Sequence, residues 1–328
     1  MALAIAASER VRGTTSPNPP VGAVVLDRHG VVVGVGATSP PGGPHAEVNA
    51  LAEAGGAANG GIAVVTLEPC AHYGRTPPCV DALLAAGIAE VHFAVADPNP
   101  QAAGGAARLR DAGVDVHAGL CAHEVAAGPL RAWLHYARTG RPHVTWKYAM
   151  TMDGRVAAAD GTSRWISGPE SRAEVHELRR RVDAIMVGRG TVLADDPRLT
   201  ARGRDESRQP LRVVVGTGDL PPDAHVLDDS APTVHLRTHD PAEVMKALGE
   251  RNVVDVLLEG GPRLAGAFLA AGLVDRILAY IAPTLLGAGP QALGDAGVAT
   301  ITDAHHFVVE EATMSGSDVR VSAVRATD

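Results

Sequence analysis

The sequence predicts an α/β protein of two successive layered domains, and three observations carry that expectation. Short β-branched runs alternate with helical periodicities along most of the chain. At 328 residues the chain is long enough for two cores, since single domains mostly run to about 100–200 residues. A basic, polar run, Arg138-Thr139-Gly140-Arg141-Pro142, interrupts the alternation and reads as a linker. It sets expected domains at 1–141 and 142–328. A composition of 46% hydrophobic and 20% charged residues describes a globular chain, and only 3% aromatics makes its cores aliphatic. The net charge of −8 argues against a broad nucleic-acid surface. Three cysteines offer no disulfide framework. Met1–Ala7 is apolar without a preceding basic residue and does not read as a signal peptide. The run Leu264–Val274, closed by Asp275-Arg276, is too short to span a bilayer. The expectation is a cytoplasmic protein with no membrane and no nucleic-acid partner.

In the first half, residues 2–12 read as an amphipathic helix. Val21–Leu26 and Val31–Val35 flank Asp27-Arg28-His29-Gly30, a hairpin with Gly at its turn. Ahead of it stands Pro17-Asn18-Pro19-Pro20, either an ordinary loop or a rigid segment holding the Asn18 amide to read a heterocycle edge. Helical periodicity begins at His45 and runs to about Ala54; Ile62–Leu67 is a buried strand delivering Cys70. Val80–Ala86 reads as helix, Val91–Val95 as strand, Ala106–Ala112 as helix, Val114–His117 as strand, and His123–Arg138 as one last helix. Cys121 has no partner in this pattern and reads as a packing residue.

The chemistry concentrates at His45-Ala46-Glu47, Pro69-Cys70 and Cys79. A lone His or Cys is usually a packing residue, but here two of three cysteines each follow a proline, downstream of a His-x-Glu. One imidazole and two thiolates would hold one zinc ion with its fourth position open, as a catalytic zinc needs. Zinc lowers the pKa of bound water to about 7. Two helical residues rotate a side chain by about 200°, so Glu47 does not share a face with His45 and is free to move protons. His-x-Glu with Pro-Cys and a second Cys is the signature of zinc nucleoside and nucleobase deaminases. The signature has two residues between its cysteines, whereas here Ala71 to Pro78 intervene.

Thr66-Leu67-Glu68-Pro69-Cys70 continuing to Gly74-Arg75-Thr76-Pro77-Pro78-Cys79 resembles the deaminase half of the bifunctional riboflavin-biosynthesis deaminase/reductases, in which the long insert is a hallmark. Asp97-Pro98-Asn99-Pro100 strengthens the match. The resemblance implies a cytidine-deaminase-like three-layer α/β/α domain, one Zn²⁺ per chain on His45, Cys70 and Cys79, and Glu47 as proton shuttle. It also puts Asn18 and His72 beside the substrate and Arg75 at its phosphate. Many members carry a histidine in a Gly-x-His context where this chain has Gly36-Ala37-Thr38.

In the second half, His143–Tyr148 reads as a strand carrying Lys147. Within the polar loop Gly161 to Gly168, Trp165 is either a core filler or a platform that stacks on a planar ring. Pro169 opens a helix to about Arg181, whose Arg179-Arg180-Arg181 is either a solvated, dipole-compensating end or, through Arg179, a phosphate ligand. After the strand Ala184–Val187 comes Asp195-Asp196-Pro197, a metal pair or, more often, turn chemistry. Val213–Val215 and Thr233–Leu236 read as strands and Ala242–Glu250 as helix. Val253–Leu258 is the strongest strand and leads through Glu259-Gly260-Gly261-Pro262 into a helix ending at Ala271. Such a Gly turn lets backbone approach a pyrophosphate, although no G-x-G-x-x-G is present. After Arg276–Ile281, Phe307–Thr313 and Val319–Val324 in hairpin order predict an antiparallel edge on a mostly parallel sheet.

Lys147 through Arg155, Ser163 through Gly168, Gly188 through Arg202 and Glu259 through Ala267 resemble the reductase half of the same family. The resemblance implies a dihydrofolate-reductase-like α/β domain using NADPH. It would line the cofactor site with Ala149, Trp165, Thr191, Asp195, Thr217 and Gly261, Pro262, Arg263, Leu264, Ala265, Gly266 and Ala267. Lys147, Ser163, Arg179, Leu199, Arg202 and Glu259 would hold the substrate, a small pyrimidine ribosyl phosphate, and a homo-oligomer is expected. Two rival readings are a deaminase acting on tRNA or DNA, disfavoured by the acidic balance, and a non-catalytic protein stapled by its metal, which needs a fourth protein ligand.

Overall fold

The structure, a computed structural model, describes residues 1–74, 77–100, 102–202 and 208–326. Two compact units divide the chain, Met1–Arg141 and Pro142–Asp328.

The first unit contains α1 (Ala2–Val11), β1 (Gly22–Leu26), β2 (Val32–Ala37), α2 (Ala46–Ala54), β3 (Ile62–Leu67), α3 (Cys79–Ala85), β4 (Glu90–Val95), α4 (Gly105–Asp111), β5 (Asp115–Ala118), α5 (Ala122–Ala127) and α6 (Arg131–Thr139). Its five-stranded sheet has the order β2-β1-β3-β4-β5. β1 is antiparallel to β2 and β3, and the remaining pairs are parallel. The β1–β2 turn is held by Asp27, whose Oδ1 accepts the amides of His29 at 2.8 Å and Val31 at 2.9 Å.

Alternation along the strands puts helices on both faces. Val24 packs with Ala4 of α1 and Val64 of β3, so the opposite parity turns to α2. There Gly34 and Gly36 let β2 lie directly on that helix: a Cβ on them would fall 2.1 Å from the Ala50 carbonyl oxygen and 2.2 Å from that of Ala46. This close approach seats the start of α2, and with it His45 and Glu47, at the end of the sheet.

Two expectations are corrected in this unit. The single helix at His123–Arg138 is two helices, α5 and α6, separated by Gly128-Pro129-Leu130. A proline here removes an amide and clashes with the preceding turn. Cys121 is exposed, at φ 58, and does not pack in the core.

The second unit contains β6 (His143–Thr151), α7 (Pro169–Arg181), β7 (Ala184–Gly188), α8 (Arg189–Asp195), β8 (Leu211–Val215), β9 (Thr233–Leu236), α9 (Pro241–Gly249), β10 (Asp255–Leu258), α10 (Pro262–Ala270), β11 (Arg276–Ala282), β12 (Phe307–Ser315) and β13 (Asp318–Arg325). The eight-stranded sheet runs β12-β13-β11-β6-β10-β7-β8-β9. Its strands are parallel from β11 to β9, and β12 and β13 form the antiparallel edge. Burial on both faces explains why these strands are continuous apolar runs. Ala184, Met186, Val213, Val215, Val256 and Leu258 enter one core cluster, while Ile185, Val187, Val214 and Leu257 enter the other. α8 was not foreseen, because Gly188-Arg189-Gly190-Thr191 carries turn-like glycines at its start. Asp196 ends it at φ 41 with its Oδ1 accepting the His225 amide at 2.8 Å, so the paired aspartates are turn chemistry.

Candidate functional site

Three elements converge on one point of the first unit. His45 is the N-cap residue of α2, Cys70 follows β3, and Cys79 opens α3. His45 Nδ1 lies 3.3 Å from Cys79 Sγ and 3.6 Å from Cys70 Sγ, and the Cys79 amide donates to Cys70 Sγ at 3.4 Å. With zinc–nitrogen and zinc–sulfur bonds near 2.0 and 2.3 Å, a tetrahedral ion spaces its nitrogen and sulfur ligands by about 3.6 Å. The donors therefore fit such an ion. Their protonation agrees: a hydrogen bond from Cys79 pulls the Cys70 thiol down to about 4. The same bond, with burial, pushes Cys79 up. A bound cation would displace the remaining thiol proton, since zinc takes cysteine as thiolate. The Cys70 bond also raises His45.

Glu47, in the first turn of α2, is buried beside these donors. Burial pushes its carboxyl up to about 7, the Cys70 charge adding to the effect while its own amide and His45 oppose it. A cavity of about 400 Å³ opens over His45, Glu47 and Cys70 and is lined further by Asn18, Thr38, His72 and Trp133. His72 Nδ1 is buried with no hydrogen-bond partner among the described residues. The Thr38 hydroxyl accepts the Val21 amide at 3.1 Å, which ties it to the strand behind the cavity. Arg75 lies outside the described residues.

Sequence reasoning quotes Glu68 within Thr66-Leu67-Glu68-Pro69-Cys70 but gives it no role. Its buried carboxylate accepts the Asp97 amide at 3.2 Å and the Ala106 amide, in the first turn of α4, at 3.0 Å. It thereby joins the ends of β3 and β4 to a helix N-terminus under the cavity. Glu68→Ala is expected to cost about 1–3 kcal/mol by leaving both amides unpaired, read as a lowered urea midpoint. An unchanged midpoint would show that water replaces the carboxylate at no cost.

In the second unit a charged cluster assembles from three elements. Arg179 of α7 donates to Glu259, after β10, through Nε at 2.7 Å and Nη2 at 2.9 Å, and Nη1 donates to the Thr200 carbonyl at 3.2 Å. Arg179 is therefore a half-buried ion-pair partner, not a solvated helix end. Burial alone would raise Glu259, but the charges of Arg179, Lys147 and His176 hold it at about 2. Burial pulls the Lys147 ammonium down, Glu259 opposing it, and Lys147 Nζ stands 5.8 Å from the Tyr280 ring centroid. His176, three residues before Arg179 on α7, is the residue that pattern reading missed. Burial and the charges of Arg179 and Arg202 lower it.

Because the Glu259 pKa is depressed, its stabilising contribution is present above 4.5 and lost as pH falls toward about 2. Replacing Arg179 with Met is expected to abolish that acid-limb step in a pH series of denaturant midpoints. Persistence of the step would assign it to another carboxylate.

The helix-start turn after β10 forms a second group. Thr191 Oγ1 accepts the Gly261 amide at 3.2 Å, and Pro262 occupies the first helical position, where a missing amide costs nothing. A Cβ on Gly260 would stand 2.7 Å from Leu264, so the turn is open because it lacks one. Trp165 is 70% exposed, with the Arg172 guanidinium 4.6 Å from its ring, which excludes the core-filler reading. Arg164 in the same loop donates to the carbonyl of Asp195. Thr217 is bonded to His239 at 3.2 Å on the exposed side. Ala149 packs beside Val175, Leu278 and Tyr280, Ser163 is half-buried and the Arg202 side chain is exposed. Three expected lining residues turn away: Leu199 and Ala265 enter the two core clusters, and a Cβ on Gly266 would meet the Asp295 carbonyl oxygen at 2.1 Å. All three are buried.

Comparison with known proteins matches a family to each unit. The model of the cytidine and deoxycytidylate deaminase zinc-binding region matches residues 1–95, and that of the RibD C-terminal domain matches residues 142–315. The riboflavin biosynthesis protein RibD of Mycobacterium tuberculosis is 58% identical over 327 residues, covering 99% of this chain and 96% of that one. Among solved structures, Acinetobacter baumannii RibD, form 1, superposes with a TM-score of 0.90 at 36% identity, covering 99% of this chain and 98% of that one. A diaminohydroxyphosphoribosylaminopyrimidine deaminase/5-amino-6-(5-phosphoribosylamino)uracil reductase from Thermotoga maritima gives a TM-score of 0.90 at 31% identity, covering 99% and 97%.

Proposed function

The chain belongs to the RibD family of bifunctional deaminase/reductases of riboflavin biosynthesis, and from that premise we propose what each half acts on and which residues do so. Residues 1–141 deaminate 2,5-diamino-6-ribosylamino-4(3H)-pyrimidinone 5′-phosphate, and residues 142–328 then reduce its ribosyl group to ribityl with NADPH.

In the first half, His45, Cys70 and Cys79 hold one zinc per chain. Zinc, when bound, supplies the Lewis acidity that makes water nucleophilic near neutral pH. Glu47 accepts the proton of the attacking water as the new C–O bond forms at the amino-bearing ring carbon. It then returns that proton to the departing nitrogen as the C–N bond breaks and ammonia leaves. Its burial favours this work, since a carboxyl near 7 both takes and gives a proton readily. His72, whose Nδ1 has no hydrogen-bond partner among the described residues, and Asn18 hold the heterocycle, and Arg75 takes the phosphate.

In the second half, the turn Gly261–Leu264 and Thr191 cradle the NADPH pyrophosphate, Trp165 stacks on a ring, and Ala149, Asp195 and Thr217 complete the cofactor groove. NADPH, when bound, would supply a hydride for C1 of the opened sugar, with a proton completing the amine nitrogen that stays bonded to C1. Lys147, Ser163, Arg179, Leu199, Arg202 and Glu259 hold the sugar phosphate. Here positioning rather than a single acid provides the rate. The same reading expects a cytoplasmic homo-oligomer that takes a small molecule.

The observation that carries the proposal is the convergence of His45, Cys70 and Cys79 with buried Glu47 over one cavity. Ammonia release and NADPH oxidation, followed on the purified chain with the diaminopyrimidine phosphate, test it. Oxidation is expected only after deamination. Oxidation without ammonia release would reverse the order, and ammonia release from an oligonucleotide instead would replace the substrate.

A further inference from the structure

Among the described residues, two groups of metal-ligating side chains bring their donor atoms within 4.8 Å of one another: His45 with Cys70 and Cys79, and Glu90 with His92 and His117. We propose that the second group, on the solvent-facing side of β4 and β5, is a separate binding site for a borderline divalent transition metal such as zinc.

The parallel register builds it. Glu90 is opposite Asp115 and His92 opposite His117, and alternation puts all four on one face while Val91, Phe93 and Val116 turn to the core. Two acid residues and two imidazoles thus form a square of donors across a single strand pair. The rings stack with centroids 4.7 Å apart. Both turn Nε2 toward the same carboxylate oxygen, Glu90 Oε1, at 2.5 Å from His92 and 3.4 Å from His117, and Asp115 Oδ2 lies 3.2 Å from His117 Nε2. Separate pairs, His92 with Glu90 and His117 with Asp115, would hold each ring by itself; what favours a shared ion is that both Nε2 atoms also converge on the one oxygen, Glu90 Oε1.

The donor set selects the ion. Two imidazoles with carboxylate oxygen suit zinc, nickel or copper(II), whereas calcium and magnesium take oxygen alone. No sulfur participates, which separates this site from the thiolate centre. The ion reaches it directly, because the imidazoles are 27% and 48% exposed. β5 is a four-residue edge strand whose one neighbour in the sheet is β4, so a bound ion would clip that edge by favouring the paired state.

Cobalt(II) titration of the metal-stripped full chain tests the assignment, with zinc uptake measured by equilibrium dialysis. The first equivalent is expected to bring strong sulfur-to-cobalt bands, and a second equivalent only weak ligand-field bands. Zinc uptake should reach two per chain. The double variant His92→Asn/His117→Asn should take one zinc, keep the sulfur bands and lose the second phase. Wild-type uptake ending at one per chain, or a double variant still taking two, overturns the proposal. Thermal melting of each protein with one and with two equivalents adds a readout independent of stoichiometry: the second equivalent should raise the wild-type midpoint and leave the variant's unmoved. Absence of the sulfur bands would instead count against the thiolate centre and leave the second phase to decide this site.

Discussion

Glu47→Gln should lower ammonia release by about 10²–10⁴-fold, the usual worth of a positioned general acid–base, equal to roughly 3–5 kcal/mol of barrier. The substitution keeps shape and one oxygen but removes the proton carrier. Because Glu47 is not among the converging donors His45, Cys70 and Cys79, zinc content should stay at the wild-type level. NADPH oxidation with the already deaminated substrate should also be unchanged. The pairing of readouts matters, since the buried position of Glu47 means that a misfolded variant would lose zinc as well as activity. Ammonia release retained at the wild-type rate would remove Glu47 from the reaction and return the proton work to His72 or solvent.

Arg212→Ala carries the largest expected effect on stability. This arginine, on β8, has a side chain with no solvent exposure. Its guanidinium donates to Thr233 Oγ1 at 2.8 Å, Asp228 Oδ1 at 2.8 Å and the His225 carbonyl at 3.2 Å, and also to the carbonyls of Asp228 and Ala231. One planar fork therefore gathers the whole segment between residues 225 and 233. Removing it orphans several acceptors at once, at about 3–5 kcal/mol. That corresponds to a fall of roughly 10 °C in melting temperature for a unit of this size. Arg212→Lys should recover little, because a point charge cannot meet acceptors arranged in a fork. A melting temperature within about 1 °C of wild type would mean that solvent replaces the guanidinium freely, contrary to its burial.

The two α/β layers were legible because each rests on a local signal. The strand Ile62–Leu67 and the parallel runs of the second unit announce themselves by β-branched residues, and the final hairpin by its polar turn. The thiolate centre was legible for a related reason, since residue types and prolines mark its three donors. What escaped depended on contacts between distant segments. The break at Gly128-Pro129-Leu130 competes with a helical pattern on either side. Exposure of Cys121 and Trp165, like burial of Leu199, depends on which neighbours arrive. Arg179 read as either solvated or functional until Glu259, 80 residues away in the chain, was found beside it. His176 had no motif, and only the charges packed around it single it out.

By itself, then, the sequence determined the alternating fold class, the donor types of the His45–Cys70–Cys79 centre and the position of the carboxyl, Glu47, proposed to move protons beside it. These follow from short-range periodicity and from the chemistry of single side chains. The tertiary structure alone decided which donors meet at 3.3 and 3.6 Å, which arginine is paired and buried, and which expected lining residues turn inward. It also decided that Glu90 and His92 stand opposite Asp115 and His117. Strand register is a property of two segments together, set by the apolar face both must bury, and neither segment specifies it alone.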